Sequence, residues 1–259
     1  EQFLHMLLWT LDQAMRPTFR NLDESYEGWA YRNGFLRQVD TLAGQGFVER
    51  RGGGAPDARV YRLTERGRLH VLGGRDPERE WSRKWDGRWR MVLYDIDEGH
   101  SSRRDKLRRY LRARGFGYLQ HSVWVSPHPL EPESDALKGA TIDVESLILL
   151  EARPVAGESD DQIARGAWDF LEINKRYTAV LRILDARPRE PLGTPGAAHR
   201  LKEWAARERA AWLRAVSADP LLPRKIWPSG YLGERIWRRR LKELRQAGRQ
   251  LNSFAPSEE

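Results

Sequence analysis

The chain has 259 residues, enough for two or three small domains with cores of their own. Its 45 Lys and Arg against 37 Asp and Glu give a net charge of +8, which favours polyanionic partners such as nucleic acid. The absence of cysteine excludes disulfides, thiolate zinc sites and cysteine nucleophiles, and no apolar run is long enough to span a membrane. We therefore expect a cytoplasmic protein with no membrane partner and no cofactor.

The first 75 residues have the pattern of helix, helix, hairpin and helix. The chain starts with an amphipathic helical pattern and lacks the features of a signal peptide. Gly46 is placed to end the second helix in the left-handed conformation, and Thr64 to cap the helix after the hairpin. Residues 47–51 and 58–63 are predicted strands joined by a Gly-rich loop. This order, with GFVER before the loop and YRLTERG after it, resembles a winged helix-turn-helix domain over residues 1–75.

A winged helix binds DNA by placing one helix in the major groove and gripping phosphates with the hairpin. Arg and amide side chains donate to base edges, and Arg pairs with phosphate oxygens. A small α+β module that binds protein partners is the alternative. The candidate DNA-binding residues are Arg32, Asn33, Arg37 and Gln38 on the helix, and Arg50, Arg51, Arg59 and Arg62 on the wing.

The central segment follows a charged linker, 76–84. Its pattern predicts a strand ending near Asp95, a basic helix from Ser102 to Gly115, a second strand at 116–126 and a later strand at 144–152. Trp81, Trp85 and Trp89 are expected to pack the linker against the sheet. This spacing predicts a ferredoxin-like plait over 85–155.

Two motifs of the central segment resemble the small CRISPR-associated endonuclease of spacer acquisition. They are YDI at 94–96 and QHSVW at 120–124. The resemblance implies a ferredoxin-like fold, and it maps that family's proposed metal ligand onto Asp95. Asp97 could share one strand face with Asp95, whereas His121 and His128 have no recognisable metal-ligand spacing. A metal-dependent nuclease using Asp95 is therefore the alternative function.

Three features together resemble the PaaX-type repressors of phenylacetic-acid catabolism. They are the upstream winged helix, WDGRW at 85–89, and DPLLP at 219–223 followed by WPSG at 227–230. Ser229 is a small departure, because the family motif has Gly directly after the Pro. The resemblance covers essentially the whole chain. The central domain of PaaX-type proteins is itself related to the CRISPR-associated endonuclease.

The C-terminal part, 156–259, is predicted to be helical over 161–184, 199–216 and 231–251. The PaaX resemblance implies that it responds to an effector such as an aryl-acyl-CoA. Such a ligand needs cations for its phosphates and an aromatic slot for its acyl group. Alternatively, the proline motifs only link helices, and the Arg run contacts DNA or solvent. The candidate effector-binding residues are Trp204, Trp212, Trp227, Arg235 and Arg239.

These observations predict an α+β protein with three parts: a winged helix at 1–75, a ferredoxin-like dimerisation domain at 85–155 after the linker 76–84, and a helical effector-response domain at 156–259. We expect a homodimer that binds double-stranded DNA at a near-palindromic site and is released by a small molecule. We expect no catalysis, with the Asp95 nuclease as the alternative.

Overall fold

The computed structural model describes residues 41–51, 60–95, 101–129, 146–155, 157–192 and 194–252. No helix within these ranges is long and apolar enough to cross a bilayer. The elements in chain order are β1 (Val48–Arg51), β2 (Val60–Leu63), α1 (Glu65–Val71), α2 (Pro77–Trp81), β3 (Trp89–Asp95), α3 (Ser101–Ala113), β4 (Gly117–Gln120), β5 (Val123–Ser126), β6 (Ser146–Ala152), α4 (Asp160–Ala167), α5 (Phe170–Asp185), α6 (Pro195–Ala218), a 3-10 turn (Arg224–Ile226) and α7 (Gly233–Asn252).

The chain divides into two compact units. The first contains Glu1–Asp76, Arg176–Ala215 and Gly233–Glu259, and the second contains Pro77–Lys175 and Val216–Leu232. The structure is therefore α+β with a helical C-terminal region, as the sequence predicts. The winged helix stays a prediction, because its first two helices fall mostly in residues 1–40, outside the described residues.

The hairpin of the first unit is tied to the helix that follows it. Strands β1 and β2 are antiparallel, with Val48 opposite Leu63. Gly46 ends the preceding helix with φ +73°, as predicted. Thr64 caps α1, also as predicted: the Gly67 amide donates to its Oγ1 at 3.0 Å, and this hydroxyl donates to the Gly46 carbonyl at 2.7 Å. Thr64 thus joins the start of the hairpin to α1.

The second unit contains a four-stranded antiparallel sheet in the order β4-β5-β3-β6. This is the strand order of a β-α-β-β-α-β plait. The single strand predicted at 116–126 is wrong, because the chain forms a tight hairpin there. His121, with φ +45°, sits at its turn between β4 and β5.

Helix α3 covers one face of this sheet. Its buried residues Leu107 and Leu111 pack with Val92, Tyr94 and Trp124. Val92 and Tyr94 are two residues apart in β3, and alternate residues of a strand point to the same face, so both point to the helix. The sequence therefore encodes a helix-on-sheet core at the predicted place.

The opposite face of the sheet is only partly covered. At one end α4 packs so closely that a Cβ on Gly117 would lie 2.6 Å from the Ala167 Cβ. Further along, Met91 and Leu93 lie opposite Leu150 and Ile148 in the strand register. Ile148 is 49% exposed and Leu150 is 44% exposed. An apolar stripe therefore remains on this face.

Trp81 in the linker and Trp89 at the start of β3 are buried, as expected, whereas Trp85 is only half-buried. The Trp81 indole donates to the Tyr231 hydroxyl at 3.1 Å, and this hydroxyl in turn donates to the buried Asp219. Asp219 also accepts from the Leu221 amide at 2.8 Å. The DPLLP motif thus folds around its own aspartate, which accounts for a structural role of this motif.

The continuous helix predicted at 161–184 is wrong. Helix α4 ends at Ala167, the backbone of Trp168 is extended, and α5 begins at Phe170. The Asp169 side chain accepts from the Glu172 amide at 2.8 Å and so caps the new helix. The helical period of the apolar residues continues across Asp169, but the preference of Asp for the N-cap position starts a new helix there.

Candidate nucleic-acid interface

The hairpin presents one described cation at the predicted wing. Arg62 is exposed and lies 3.9 Å from Glu49 across the strands. Such a loose pair in solvent contributes little to stability, so a phosphate can compete for the guanidinium. Arg50 and Arg51 lie in β1, and only their backbone is described. The other candidates lie outside the described residues: Arg32, Asn33, Arg37, Gln38 and Arg59.

The hairpin has a fixed position against α1. A Cβ on Gly67 would lie 2.0 Å from the Phe47 carbonyl oxygen, so glycine is required at this close approach. The Phe47 ring stacks on His70 with centroids 4.6 Å apart, and Arg66 lies over it at 5.0 Å. The first residues of the predicted wing are therefore anchored on the helix that follows.

Helix α3 carries a second group of cations in the central domain. Lys106, Arg109 and Arg112 are exposed. The Arg112 guanidinium lies over the Trp124 ring at 5.7 Å. The Arg108 Nε donates to the Tyr94 hydroxyl at 3.3 Å, and this bond is the main cause that raises the pKa of Arg108. The basic side chains of α3 thus meet aromatic groups of the sheet.

Asp95 ends β3 opposite Ser146, and its side chain is exposed. Asp97 lies outside the described residues. Within the described ranges, no three His, Asp or Glu side chains are grouped to hold a metal ion. His121 is at the β4–β5 turn, and His128 follows β5. Asp95 is therefore not part of a three-ligand cluster among the described residues.

The candidate effector residues differ in accessibility and do not form one described site. Trp204 and Trp212 are fully buried, and the Trp204 indole donates to the Ile183 carbonyl at 2.7 Å. Arg235 is exposed, whereas Arg239 is half-buried. All four belong to the first unit, and Trp227 belongs to the second. Their role in binding an effector stays a prediction.

Two cations of the basic run of α7, Arg239 and Arg240, are paired with carboxylates inside the first unit. Arg240 and Glu208 are both 0% exposed, and the Arg240 Nε donates to the Glu208 carboxylate at 2.6 Å. Arg239 pairs with Glu243 at 3.1 Å, and the same carboxylate accepts from Arg187 at 2.8 Å. These cations hold helices together.

Sequence reasoning missed this buried network because its partners are far apart in the chain. Glu208 and Arg240 are 32 residues apart, and Arg187 and Glu243 are 56 apart. The available signal was a carboxylate on the apolar side of a helix pattern: Glu208 lies four residues before Trp212 and four after Trp204. A carboxylate in such a stripe indicates a buried partner.

The architecture around α3 is that of a small α/β plait between a hairpin-bearing segment and a helical segment. Residues 82–164 match the family model described as the PaaX protein central Cas2-like domain. The match confirms the resemblance to PaaX-type proteins and, within it, to the CRISPR-associated fold at the centre.

The whole chain also resembles a solved structure, the uncharacterized protein Rv0674 from Mycobacterium tuberculosis. The two are 20% identical with a TM-score of 0.51, over 97% of this chain and 96% of that one. At this identity the similarity concerns the fold alone. No curated protein matches the sequence.

Proposed function

We propose that this chain is a DNA-binding transcriptional regulator that represses a catabolic operon and leaves its operator when a small molecule binds. The match of residues 82–164 to the PaaX central domain is the observation that carries the proposal. The three functional parts follow the chain, with DNA reading at 1–75, dimerisation at 85–155 and effector response at 156–259.

DNA contact is assigned to the predicted winged helix. The antiparallel hairpin of β1 and β2 supports this, because it carries the exposed Arg62 and is anchored on α1 by Thr64. On this proposal Arg32, Asn33, Arg37 and Gln38 read bases in the major groove. Arg50, Arg51, Arg59 and Arg62 bind phosphates beside it.

Dimerisation is assigned to the plait. Its sheet has an apolar stripe that includes the exposed Ile148 and Leu150. A two-fold dimer brings identical patches together, so this stripe would cover its own copy. Two winged helices related by that axis require a near-palindromic operator.

Effector response is assigned to the C-terminal helices. The proposed ligand is an aryl-acyl-CoA, for which cations and aromatic groups are suitable partners. Among the candidates Trp204, Trp212, Trp227, Arg235 and Arg239, Arg235 is exposed and Trp227 is half-buried. Two others are buried, so ligand entry at Trp204 or Trp212 would require the helices to move.

A metal-dependent nuclease is the second candidate, favoured by one observation. Asp95 is exposed at the end of β3, where the related endonuclease family has its proposed metal ligand. A divalent ion needs several oxygen ligands, so a second copy would have to supply its own Asp95. Incubation of labelled DNA and RNA with Mg²⁺ or Mn²⁺ distinguishes the two functions. We expect no cleavage; cleavage that Asp95→Ala abolishes would establish the enzyme.

The test of DNA binding is charge reversal at the winged helix. Arg37→Glu together with Arg59→Glu should remove binding to a duplex of mixed sequence, measured by fluorescence anisotropy. Glu49→Gln is the control, since it removes a carboxylate from the same hairpin and should leave binding intact or strengthen it. Unchanged affinity of the charge-reversed variant would show that the winged helix binds partners other than DNA.

A further inference from the structure

We propose that α3 is a second duplex-DNA surface, on which Lys106, Arg109 and Arg112 bind backbone phosphates outside the domain that reads the operator. The inference rests on the proposed function, because it assumes that the protein binds duplex DNA. It adds a surface in the central domain that takes part neither in operator reading by the winged helix nor in effector response.

The charge of α3 is concentrated and of one sign. The helix contains one acidic residue, Asp105, against six basic ones in thirteen positions. The buried side belongs to Leu107 and Leu111, which pack on the sheet. A helix repeats every 3.6 residues, so Lys106, Arg109 and Arg112 follow one another along the opposite side. A single basic stripe therefore faces away from the core.

These three cations are not neutralised by the described protein. Lys106, Arg109 and Arg112 form no ion pair with any residue that the structure describes. The Arg109 Nε donates only to the Asp105 backbone carbonyl, at 3.4 Å. Their charge is therefore available to an external anion.

Part of the stripe is held in place before any ligand binds. Arg112 lies over the Trp124 ring, and the neighbouring Arg114 lies over the Tyr110 ring at 5.2 Å. Trp124 is fully buried, so the surface that orders Arg112 is itself rigid. Ordering a long side chain in advance lowers the entropy cost of binding.

Duplex DNA fits this stripe better than a lipid surface does. Among the side chains of α3 that the structure describes, the exposed ones are Ser102, Asp105, Lys106, Arg109, Arg112 and Ala113. None is a large apolar side chain that could insert between acyl chains, as membrane-bound amphipathic helices require. A row of cations about 4.5 Å apart along the helix axis can instead follow a phosphate backbone.

The test compares two neutralised cations on α3 with two on another helix. Lys106→Gln with Arg109→Gln is the variant, and Lys202→Gln with Arg207→Gln, both exposed on α6, changes the net charge equally. Affinity of the full chain for a 40-bp duplex of mixed sequence is measured by fluorescence anisotropy over a series of KCl concentrations. Each phosphate contact contributes about 0.9 to the slope of log affinity against log salt.

We expect the α3 variant to lose about two units of this slope and roughly tenfold or more in affinity, while the α6 variant keeps the wild-type slope. An unchanged slope in the α3 variant, or an equal loss in both variants, would overturn the inference. The inference would also be overturned if the α3 variant lost binding to vesicles of 30% phosphatidylserine in phosphatidylcholine while its DNA binding stayed intact.

A third variant separates this inference from the proposed function. Arg62→Gln neutralises the described cation of the wing. If Arg62→Gln weakens binding and the α3 variant does not, the winged helix stands and the α3 surface fails. If only the α3 variant weakens binding, the α3 surface stands and the assignment of DNA binding to the wing fails. A wild-type chain that binds no duplex overturns both.

Discussion

Helices α3 and α7 look alike in the sequence, since both are rich in Arg, yet several of their cations have different surroundings. In α7, Arg240 is fully buried against Glu208, and Arg239 shares Glu243 with Arg187. In α3, Lys106 and Arg109 are exposed and have no ion-pair partner among the described residues. Arg239 and Arg240 of α7 therefore belong to a buried network, whereas Lys106 and Arg109 of α3 present their charge to solvent.

The difference shows that a run of basic residues is not evidence of a polyanion site. Basic residues are available to a polyanion only where no carboxylate from another helix pairs with them. Such carboxylates lie tens of residues away in the chain. Removing a buried partner leaves an uncompensated charge, whereas removing an exposed cation leaves only solvent. The comparison therefore predicts stability effects for α7 and binding effects for α3.

The largest effect is expected for Glu208→Gln. It leaves the Arg240 guanidinium buried without its counter-charge, which costs about 3–5 kcal/mol of unfolding free energy. Urea unfolding followed by circular dichroism measures the loss. Glu234→Gln is the matched control, because its partner Arg238 is exposed, and we expect a loss below about 1 kcal/mol. Equal losses in the two variants would break the comparison.

Glu243→Gln is expected to cost less, about 1–3 kcal/mol. Arg187 loses a charged acceptor at 2.8 Å but keeps the side-chain oxygens of Gln246 and Gln250. The same urea titration measures the change. A loss as large as that of Glu208→Gln would mean that the amide acceptors do not compensate Arg187.

A smaller, pH-dependent effect is expected at the end of the sheet. The Arg90 guanidinium, which donates to Asp86, is the main cause that lowers the pKa of this carboxyl below its ordinary 3.8. The resulting stabilisation is present above that ordinary value and is lost as the pH falls through the lowered one. Asp86→Asn should therefore be less stable than wild type at neutral pH, with the difference vanishing in acid.

Acid unfolding of wild type and Asp86→Asn, with the same pair in an Arg90→Met background, measures this linkage. We expect Asp86→Asn to have a smaller effect on the pH profile once Arg90 is gone, because only Arg88 then still lowers the pKa of Asp86. Glu151, 3.2 Å from Arg90, keeps the effect of the single variant modest. A pH profile that Asp86→Asn leaves unchanged in the wild-type background would contradict the assignment.

The smallest stability effect is expected for Lys106→Gln with Arg109→Gln. Both side chains are exposed on α3, so the unfolding free energy should stay within about 0.5 kcal/mol of wild type. Urea unfolding of this variant sharpens the comparison with α7. A loss comparable to that of Glu243→Gln would mean that these cations, too, hold the fold together.

Local signals in the sequence predicted the elements well. Thr64 as a cap and Gly46 with its left-handed backbone are both confirmed. These features depend on residues a few positions apart, so the sequence displays them directly. The resemblance at the centre is confirmed as well, over 82–164.

Two boundaries failed because one local preference competed with another. The apolar run at 116–126 hid a tight turn at His121, and helical periodicity hid the new helix start capped by Asp169. The Arg240–Glu208 pair could not be predicted, since its members meet only when α6 and α7 pack. The charge pattern alone therefore did not show that Arg239 and Arg240 of α7 are paired in the core.

The central claim, sequence-specific binding of duplex DNA, is tested most directly by selecting bound duplexes from a random-sequence library with the full chain. We predict enrichment of one near-palindromic motif whose half-sites lie about 10 bp, or a multiple of this, apart. Recovery of bound DNA with no motif enriched over the starting library would contradict the claim.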